Sequence, residues 1–320
     1  MPLLLFSPVY QERVWGGRAL ADWLGRELPA EKVIGESWEI VDRPEAQSVV
    51  CHGVWAGLTL REVLEQHAAD VMGPRWVPER RFPVLVKWLD CRERLSLQVH
   101  PPASVAAELG GEAKSENWYI AHAEPGAAVL AGVKEDVDAV AFRAALEAGN
   151  AKALVLRHAT CTGDSLMIES GVMHAIEGGN VILEIQQNSD TTYRVYDWGR
   201  MGLDGRPRQL HVEASLACLS ANVAAAPQLI RADDPREVLA ECPAFRIRRV
   251  RLAQGGNLAW PGGEQPRILS VVTGSLRDGS TGEVVTWGSN ALAIFAEPLT
   301  LVAREDSIVL VTENFTSDFL

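Results

Sequence analysis

Most of this 320-residue chain is a succession of short apolar or alternating segments, each bounded by Gly, Pro, Asn or Asp. Segments of this length are typical of β-strands, and many of them in a row favour β-sandwich or jelly-roll barrels over βαβ units. The sequence therefore predicts a mainly β protein. The predicted strands cover residues 82–89, 94–99, 117–121, 165–169, 180–187, 192–197, 244–253, 268–272, 283–287, 291–295 and 299–312.

Helical patterns are few. Residues 59–72 begin with Thr59 and Glu62 at the spacing of a capping box, which predicts a helix there. Residues 18–28 predict a further short helix.

Residues 136–158 predict a small helical insertion. They indicate two short helices that break after Gly149, with Asp136 and Asn150 as N-terminal caps.

A polar linker at 221–236 divides the predicted strands into two groups. We therefore expect two jelly-roll barrels with the helical insertion in the first. The first domain covers residues 1–225 and the second covers 237–320, which contains no histidine. The second barrel is thus expected to lack metal ligands.

Charge and cysteine content exclude some classes of protein. A formal net charge of −12 opposes a broad nucleic-acid surface, which needs clustered Lys and Arg. One local group of cations can still hold a single phosphorylated metabolite. The five cysteines form no Cys-x-x-Cys pair, and no apolar stretch reaches the ~20 residues that span a bilayer. We expect a cytoplasmic protein with reduced thiols and no membrane segment.

The segment RLSLQVHPP at 94–102 predicts a strand with two different faces, because alternate side chains of a strand share a face. The apolar row is Leu95, Leu97 and Val99, and the polar row is Ser96, Gln98 and His100. An ordinary half-exposed strand would show the same pattern. Two features favour a metal site: Gln98 and His100 can both reach one ion, and Pro101 ends the strand beside His100.

The segment AKSENWYI at 113–120 places Lys114, Glu116 and Trp118 on one side of a second strand. Glu116 supplies a carboxylate to that side and Lys114 supplies a cation. Taken alone, the pattern is also that of a solvated strand edge.

A third polar segment, GDSLMIESGVMHAIEGG, follows at 163–179. Its strand runs to a turn at Gly171, and His174 comes three residues later. The spacing of Gly163, Gly171 and His174 resembles the second cupin motif, with Glu169 in place of the motif's proline.

These segments together offer two imidazoles, one carboxylate and one amide oxygen. The four candidate ligands are Gln98, His100, Glu116 and His174. Mixed nitrogen and oxygen ligands without thiolate suit Zn²⁺ with a position left open for water or substrate. Mn²⁺ and Fe²⁺ accept the same set. Because imidazole and carboxylate bind metals in their deprotonated forms, we expect the affinity to fall in mild acid.

The segment VILEIQQNSDTTYRVYDWGR at 181–200 adds Glu184, which interrupts an apolar strand, and Arg194, which alternates with Tyr193 and Val195. A carboxylate among Val, Ile and Leu is costly unless it is paired or functional. Two interpretations remain: a structural ion pair between Glu184 and Arg194 across neighbouring strands, or a catalytic role.

Four strings of this sequence resemble type I phosphomannose isomerases, particularly the short bacterial form. They are KWLDCRERLSLQVHPP, KSENWYI, GVMHAIEGG and ILEIQQNSDTTYRVYDWGR, and IGESWEIVD and GRPRQLHVEASL add to them. The resemblance covers residues from about 5 to 220, in order. It implies two cupin barrels and a zinc-dependent aldose–ketose isomerase. The implied reaction interconverts mannose 6-phosphate and fructose 6-phosphate through a metal-stabilised cis-enediol.

The resemblance also implies roles for individual residues. The ligands of one zinc ion per chain are Gln98, His100, Glu116 and His174; the catalytic residues are Arg194, Glu184 and Lys114; and Lys87 and Ser96 lie near the sugar phosphate. Glu169 stands where proline is usual, and Ser115 stands where threonine or proline is common. Neither departure removes a chemical group that the reaction needs.

Two other functions stay open at this point. A cupin isomerase or epimerase of an unphosphorylated sugar would keep the metal ligands and need no phosphate contacts. A non-catalytic sugar-binding cupin would need only the barrel and none of the catalytic residues. The expected partner is a sugar phosphate, with no nucleic acid and no membrane, and the oligomeric state is open.

Overall fold

The computed structural model describes residues 2–316. These residues form many strands and few helices, which confirms the predicted mainly β fold class. The strands of the first half are β1 (Leu3–Ser7), β2 (Val9–Gly17), β3 (Ile34–Ile40), β4 (Asp42–Arg43), β5 (Ala46–Gln47), β6 (Val49–Val50), β7 (Val84–Cys91), β8 (Leu97–Val99), β9 (Glu116–Ala123), β10 (Ala128–Val133), β11 (Val155–Ala159) and β12 (Ser165–Ile168).

The strands of the second half are β13 (His174–Ile176), β14 (Asn180–Gln187), β15 (Tyr193–Tyr196), β16 (Val238–Cys242), β17 (Phe245–Leu252), β18 (Asn257–Trp260), β19 (Arg267–Thr273), β20 (Ser275–Asp278), β21 (Val284–Thr286), β22 (Asn290–Ala293), β23 (Leu299–Ala303) and β24 (Ser307–Glu313). The helices are α1 (Ala19–Leu24), α2 (Leu60–Val71), α3 (Ala103–Ala106), α4 (Ala139–Glu147) and α5 (Val212–Ala221), with a 3₁₀ turn at Ala151–Leu154. The single run predicted over 299–312 is thus two strands, β23 and β24, separated by a charged turn at 304–306.

The strands pair in sheets whose order departs from the order of the chain. The larger sheets are β16-β17-β24-β19-β22-β1-β6, β12-β9-β14-β7-β3-β2, β11-β10-β13-β8-β15 and β18-β23-β20-β21. Because β9 lies beside β14 and β8 lies beside β13, segments distant in sequence become neighbours. These crossovers bring the polar segments of the sequence together.

The described residues form two compact units, each discontinuous in sequence. Unit one comprises residues 2–9, 38–86 and 235–316, and unit two comprises 10–37 and 87–234. Residues 2–9 belong with the C-terminal strands because β1 pairs with β22, with Leu3 opposite Ala293. The compact units therefore follow strand pairing, and the division into two barrel domains over 1–225 and 237–320 stays a prediction.

Each unit has its own apolar core. In unit one, Leu3 packs with residues of the C-terminal strands, including Leu269 and Val309. In unit two, one cluster contains Trp118 and a second contains Leu97. Burying one such side chain stabilises the fold by ~1.5–3 kcal/mol, so these clusters hold the strands in place.

The helix predicted over 59–72 is confirmed as α2. Its capping box is complete: Glu62 N donates to Thr59 Oγ1 at 3.1 Å, and Thr59 N donates to Glu62 Oε2 at 2.8 Å. The helix predicted over 18–28 is shorter, since Gly25, at φ 63°, ends α1 in the left-handed conformation.

The insertion predicted over 136–158 is correct in its first helix and wrong in its second. Asp138 caps α4 by accepting from Ala141 N at 2.7 Å, whereas Asp136 lies at φ 63° in the preceding turn. After Asn150 the chain makes one 3₁₀ turn and then enters β11, where pairing with β10 replaces helix. No helix within residues 2–316 combines the length and apolarity needed to cross a membrane.

Candidate metal centre and active-site cavity

Strand β8 carries the first predicted row of polar side chains, but the strand spans only three residues. Leu97 and Val99 are fully buried in one core cluster, as predicted. Leu95, which precedes the strand, is buried in a core as predicted, but it packs in the other cluster with Trp118, so only its predicted shared face with Leu97 is wrong. Gln98 projects from the opposite face, where it lines a cavity.

The pairing of β8 places Gln98 between two other predicted site residues. In the strand register Gln98 lies opposite His174 of β13 and opposite Arg194 of β15. His174 begins β13 because the preceding turn contains Gly171, whose φ of 94° favours glycine. Gly171 N donates to His100 O at 2.7 Å, which fixes the turn against the end of β8.

His100, Glu116 and His174 converge on one point. His100 Nε2 lies 3.3 Å from Glu116 Oε2, and His174 Nε2 lies 3.5 Å from Glu116 Oε1. One candidate ligand atom from each residue lies within 4.8 Å of those of the others, and all three side chains are buried. Gln98 Nε2 is 3.3 Å from His174 Nε2. A half-turn of the Gln98 amide would direct its oxygen at the same point.

Backbone carbonyls orient both imidazole rings. His100 Nδ1 lies 2.8 Å from Thr191 O, and His174 Nδ1 lies 2.8 Å from Val172 O. A carbonyl only accepts hydrogen bonds, so each Nδ1 carries the proton and each Nε2 presents a lone pair towards Glu116. This arrangement is typical of histidines that bind metal ions.

Electrostatics keeps the three groups in the forms that bind a cation. Burial, reinforced by the charge of Lys114, lowers the pKa of His100 to about 4. Burial also lowers the pKa of His174. For Glu116, burial acts in the opposite direction, but the charge of Lys114 counters it and holds the pKa of this carboxyl well below its ordinary value. The rings are therefore neutral and the carboxylate is ionised.

Glu116 provides a direct test of fit to a metal ion. Lys114 Nζ lies 2.8 Å from Glu116 Oε2, yet among residues 2–316 no group donates a hydrogen bond of normal geometry to either oxygen of this buried carboxylate. The contact with Lys114 is therefore ionic. Two carboxylate oxygens without hydrogen-bond donors, beside two imidazole lone pairs, fit the ligand set of a divalent cation.

Glu184 lies on β14 directly opposite Trp118 of β9. Its Oε2 accepts a hydrogen bond from Trp118 Nε1 at 3.0 Å. Its Oε1 lies 3.4 Å from Lys87 Nζ and 3.8 Å from Lys114 Nζ. Burial alone would lower the pKa of Lys114, but the charges of Glu116 and Glu184 outweigh it and raise that pKa. Lys114 thus links Glu184 to the cluster of Glu116.

The interpretation of Glu184 and Arg194 as a structural ion pair is wrong. Glu184 belongs to β14 and Arg194 to β15, and these strands lie in different sheets. Arg194 Nη1 donates to Gln209 O at 3.1 Å, and its Nε finds no hydrogen-bond partner in the part of the chain that the structure describes. Burial, with the nearby charge of Arg208, lowers the pKa of Arg194.

A cavity of about 590 Å³ lies within unit two and is lined by most of the predicted site residues. The predicted site residues that line it are Lys87, Ser96, Gln98, Lys114, Glu184 and Arg194. Ser96 Oγ donates to Gln98 Oε1 at 3.2 Å, which connects this hydroxyl to the candidate ligands. His100, Glu116 and His174 are buried and are not among the residues that line the cavity.

The sequence interpretation missed other polar groups that line the cavity. Arg13 donates from Nε and Nη2 to Glu36 at 2.9 and 3.1 Å, across β2 and β3. Arg208 donates to both oxygens of Asp197 at 2.7 and 2.6 Å. The sequence contains only a weak signal for two of these residues: Glu36 lies in IGESWEIVD and Arg208 lies in GRPRQLHVEASL, two segments that add to the family resemblance.

Comparisons with known proteins agree on one family. Residues 3–135 match the catalytic domain of phosphomannose isomerase type I. The chain is 34% identical over 285 residues to mannose-6-phosphate isomerase ManA of Bacillus subtilis (strain 168), covering 86% of each chain. It is 40% identical over 220 residues to mannose-6-phosphate isomerase of Streptococcus mutans, covering 68% of each. The crystal structure of the Bacillus subtilis mannose 6-phosphate isomerase superposes with a TM-score of 0.85 at 29% identity, over 98% of this chain and all of that one.

Proposed function

This chain belongs to the type I phosphomannose isomerase family, and from this premise we propose that it interconverts mannose 6-phosphate and fructose 6-phosphate. One observation carries the proposal: Lys114 Nζ lies 2.8 Å from Glu116 and 3.8 Å from Glu184. Lys114 thus joins a candidate metal ligand to a candidate base that lines the cavity. Isomerisation of an aldose to a ketose needs a base, because a proton moves between two carbons, and it needs positive charge near the neighbouring oxygens, where negative charge develops.

We propose that Gln98, His100, Glu116 and His174 bind one zinc ion per chain. Support comes from the nitrogen and oxygen ligands without thiolate, the oriented imidazoles and the carboxylate that lacks directed hydrogen bonds. The bound ion supplies positive charge that stabilises negative charge on the substrate oxygens. We include Gln98 because its amide lies beside His174.

Glu184 is the proposed base. It takes the proton from C2 of mannose 6-phosphate and returns it to C1, through a cis-enediol, and the reverse reaction uses the same atoms. Its Oε1 is the oxygen that the indole of Trp118 leaves available, and Glu184 lines the cavity. Lys114 and Arg194 line the same cavity and supply positive charge to the sugar oxygens, and Lys114 passes the hydroxyl proton of O2 to O1, which balances the proton transfer from C2 to C1.

The substrate phosphate requires cations within this acidic chain. Lys87 and Ser96 are the proposed contacts, and we add Arg194 and Arg208, which line the same cavity. Nε and Nη2 of Arg208 donate to Asp197, so its other guanidinium nitrogen and the guanidinium of Arg194 would donate to the phosphate oxygens.

The test is turnover of mannose 6-phosphate in a coupled assay, with metal analysis of the same sample. We expect turnover to depend on the phosphate, so free mannose should react at least ~100-fold more slowly. Glu184→Gln keeps the shape of the side chain but cannot take a proton, so it should lose ~10²–10⁴-fold in turnover. The washout of deuterium from C2 into solvent should fall in parallel.

The matched control is Glu213→Gln, a fully exposed carboxylate that pairs with Arg143. It should keep wild-type turnover. Equal turnover of free mannose would contradict the phosphate specificity and favour an isomerase of unphosphorylated sugars. Wild-type deuterium washout in folded, metal-loaded Glu184→Gln would exclude Glu184 as the base.

A further inference from the structure

Trp118 lies between the proposed base and the proposed metal centre. Its side chain is buried in the core cluster of unit two, and it is absent from the cavity wall. Its indole Nε1 donates to Glu184 Oε2 at 3.0 Å. Its ring meets the ring of His174 at a centroid distance of 5.5 Å and an angle of 75°. One buried side chain therefore contacts both working parts of the site.

The indole hydrogen bond makes the two oxygens of Glu184 inequivalent. Oε2 is held by Trp118, whereas Oε1 has the ammonium groups of Lys87 and Lys114 as its neighbours at 3.4 and 3.8 Å. Because Trp118 and Glu184 lie directly opposite each other on β9 and β14, strand pairing sets this contact. The oxygen that faces the two lysines is the one left for the substrate.

A carboxylate between two lysines needs such a restraint. Glutamate has three rotatable side-chain bonds, and without a fixed partner its carboxylate would turn either oxygen towards the nearer ammonium. The indole N–H is a donor only, so it holds the ionised carboxylate and never competes with it for a proton. A phenylalanine would fill most of the same apolar space. The one group that a phenylalanine lacks is the N–H that contacts Glu184.

We infer that Trp118 is a positioning residue, which fixes the carboxylate of Glu184 so that Oε1 exchanges the proton with the substrate. The inference rests on the proposed function of Glu184 as the base. Trp118 is absent from the cavity wall, and a phenylalanine ring would keep the contact with His174, so the indole N–H acts through Glu184 alone. Its loss should therefore slow proton transfer and leave substrate affinity unchanged.

The first variant is Trp118→Phe, measured in the full-length, metal-loaded chain. We expect kcat to fall about tenfold, KM to stay within about twofold, and C2 deuterium washout to fall with kcat, because a misplaced base loses rate and the binding contacts remain. Metal content should match the wild type, since an aromatic ring still packs against His174. Replacement of Trp118 by 3-benzothienylalanine exchanges the N–H for sulfur in the same outline and should give the same loss if Trp118→Phe folds poorly.

The control variant is Trp88→Phe. Trp88 is fully buried on β7, between Lys87 and Leu89, which line the cavity, so its own side chain points to the other face. It should keep wild-type kcat. In a Glu184→Gln background, Trp118→Phe should cause no further loss, because the group through which it acts is gone.

A readout independent of turnover is the ¹H–¹⁵N resonance of the Trp118 indole, assigned by its disappearance in Trp118→Phe. It should shift in Glu184→Gln. Wild-type kcat in Trp118→Phe, an equal loss in both backgrounds, or an unmoved indole resonance would each overturn the inference. A wild-type chain that exchanges no deuterium from C2 overturns the proposed function and the inference together, so the two failures are distinguishable.

Discussion

At the scale of single residues, His100 and His174 each direct one ring nitrogen to a backbone carbonyl and the other towards Glu116. Burial lowers the pKa of His100 to about 4 and lowers that of His174 as well. A depressed histidine pKa keeps the ring neutral until the pH falls to that lower value. His100 therefore needs to lose no proton before a metal ion binds in mild acid, and His174 is protonated there less than an ordinary imidazole, so the loss of affinity predicted from sequence should be small.

We predict that the Zn²⁺ affinity of the metal-free protein falls by less than about tenfold between pH 7.5 and 5.5, because His100 stays neutral over this range and His174 is protonated less than an ordinary imidazole. Two imidazoles with ordinary pKa values near ~6.5 would each lose about tenfold over the same range. A further loss should follow as the pH approaches 4, where His100 takes up a proton. Competition with a chromophoric chelator, calibrated at each pH, measures the affinity. A loss near a hundredfold by pH 5.5 would show that the rings are not held neutral.

At the scale of elements, alternation within a strand predicted much of the site. Gln98 lies on the cavity face of β8, and Lys114, two residues before β9, contacts Glu116, the first residue of β9, at 2.8 Å, as their predicted common side requires. Leu95 departs from its predicted row because β8 is only three residues long, and hydrogen bonding with β13 and β15 sets that length. The turn into β11 was missed for the same reason: a distant partner strand outweighs local helix propensity.

The charged residues Arg13, Glu36 and Arg208 could not be found by alternation. An isolated charge in a strand looks solvent-exposed unless the order of strands in the sheet is known. In the structure, Arg13 and Glu36 form their ion pair because β2 lies beside β3. That order depends on packing between segments, which local sequence patterns do not contain.

Close approach of β2 to β3 depends on two glycines. A Cβ at Gly16 would lie 2.4 Å from Gly35 N, and a Cβ at Gly35 would lie 2.5 Å from Arg13 Cβ and 2.9 Å from Trp15. The first contact is with backbone, which cannot turn aside. Any side chain at Gly16 therefore separates the strands and displaces the cavity wall that holds Arg13 and Trp15.

We predict that Gly16→Ala lowers the free energy of unfolding by roughly 2–3 kcal/mol, as overpacking does, and lowers kcat/KM for mannose 6-phosphate. Urea denaturation and steady-state kinetics measure the two effects. The control is Gly279→Ala, where the nearest atom to an added Cβ is Thr300 O at 3.5 Å, an ordinary contact. It should leave stability unchanged or raise it by up to about 1 kcal/mol. A wild-type unfolding midpoint in Gly16→Ala would contradict the steric argument.

At the scale of the whole molecule, strand pairing decides which parts of the chain depend on each other. Strand β1 lies inside the seven-stranded sheet, between β22 and β6. Leu3 and Leu4 of β1 are fully buried, and Leu3 packs among residues of the C-terminal strands. The first residues of the chain thus need residues beyond 237 to complete their sheet. Removal of the C-terminal segment would expose the edge of β1 and its apolar side chains. Exposed strand edges of this kind promote aggregation.

We predict that a chain of residues 1–236 fails to accumulate as a soluble, cooperatively unfolding protein, even though it contains every proposed metal ligand. Co-expression of residues 237–320 should restore a soluble complex, because β22 can then pair with β1. The control is the full chain with a protease site after Ala225, in the linker: after cleavage it should keep its thermal midpoint, which separates loss of the strands from loss of peptide continuity. Size-exclusion chromatography and thermal unfolding measure each form. If residues 1–236 alone unfold cooperatively at the wild-type midpoint, the first domain is independent of the C-terminal strands and the grouping of β1 with them carries no stability.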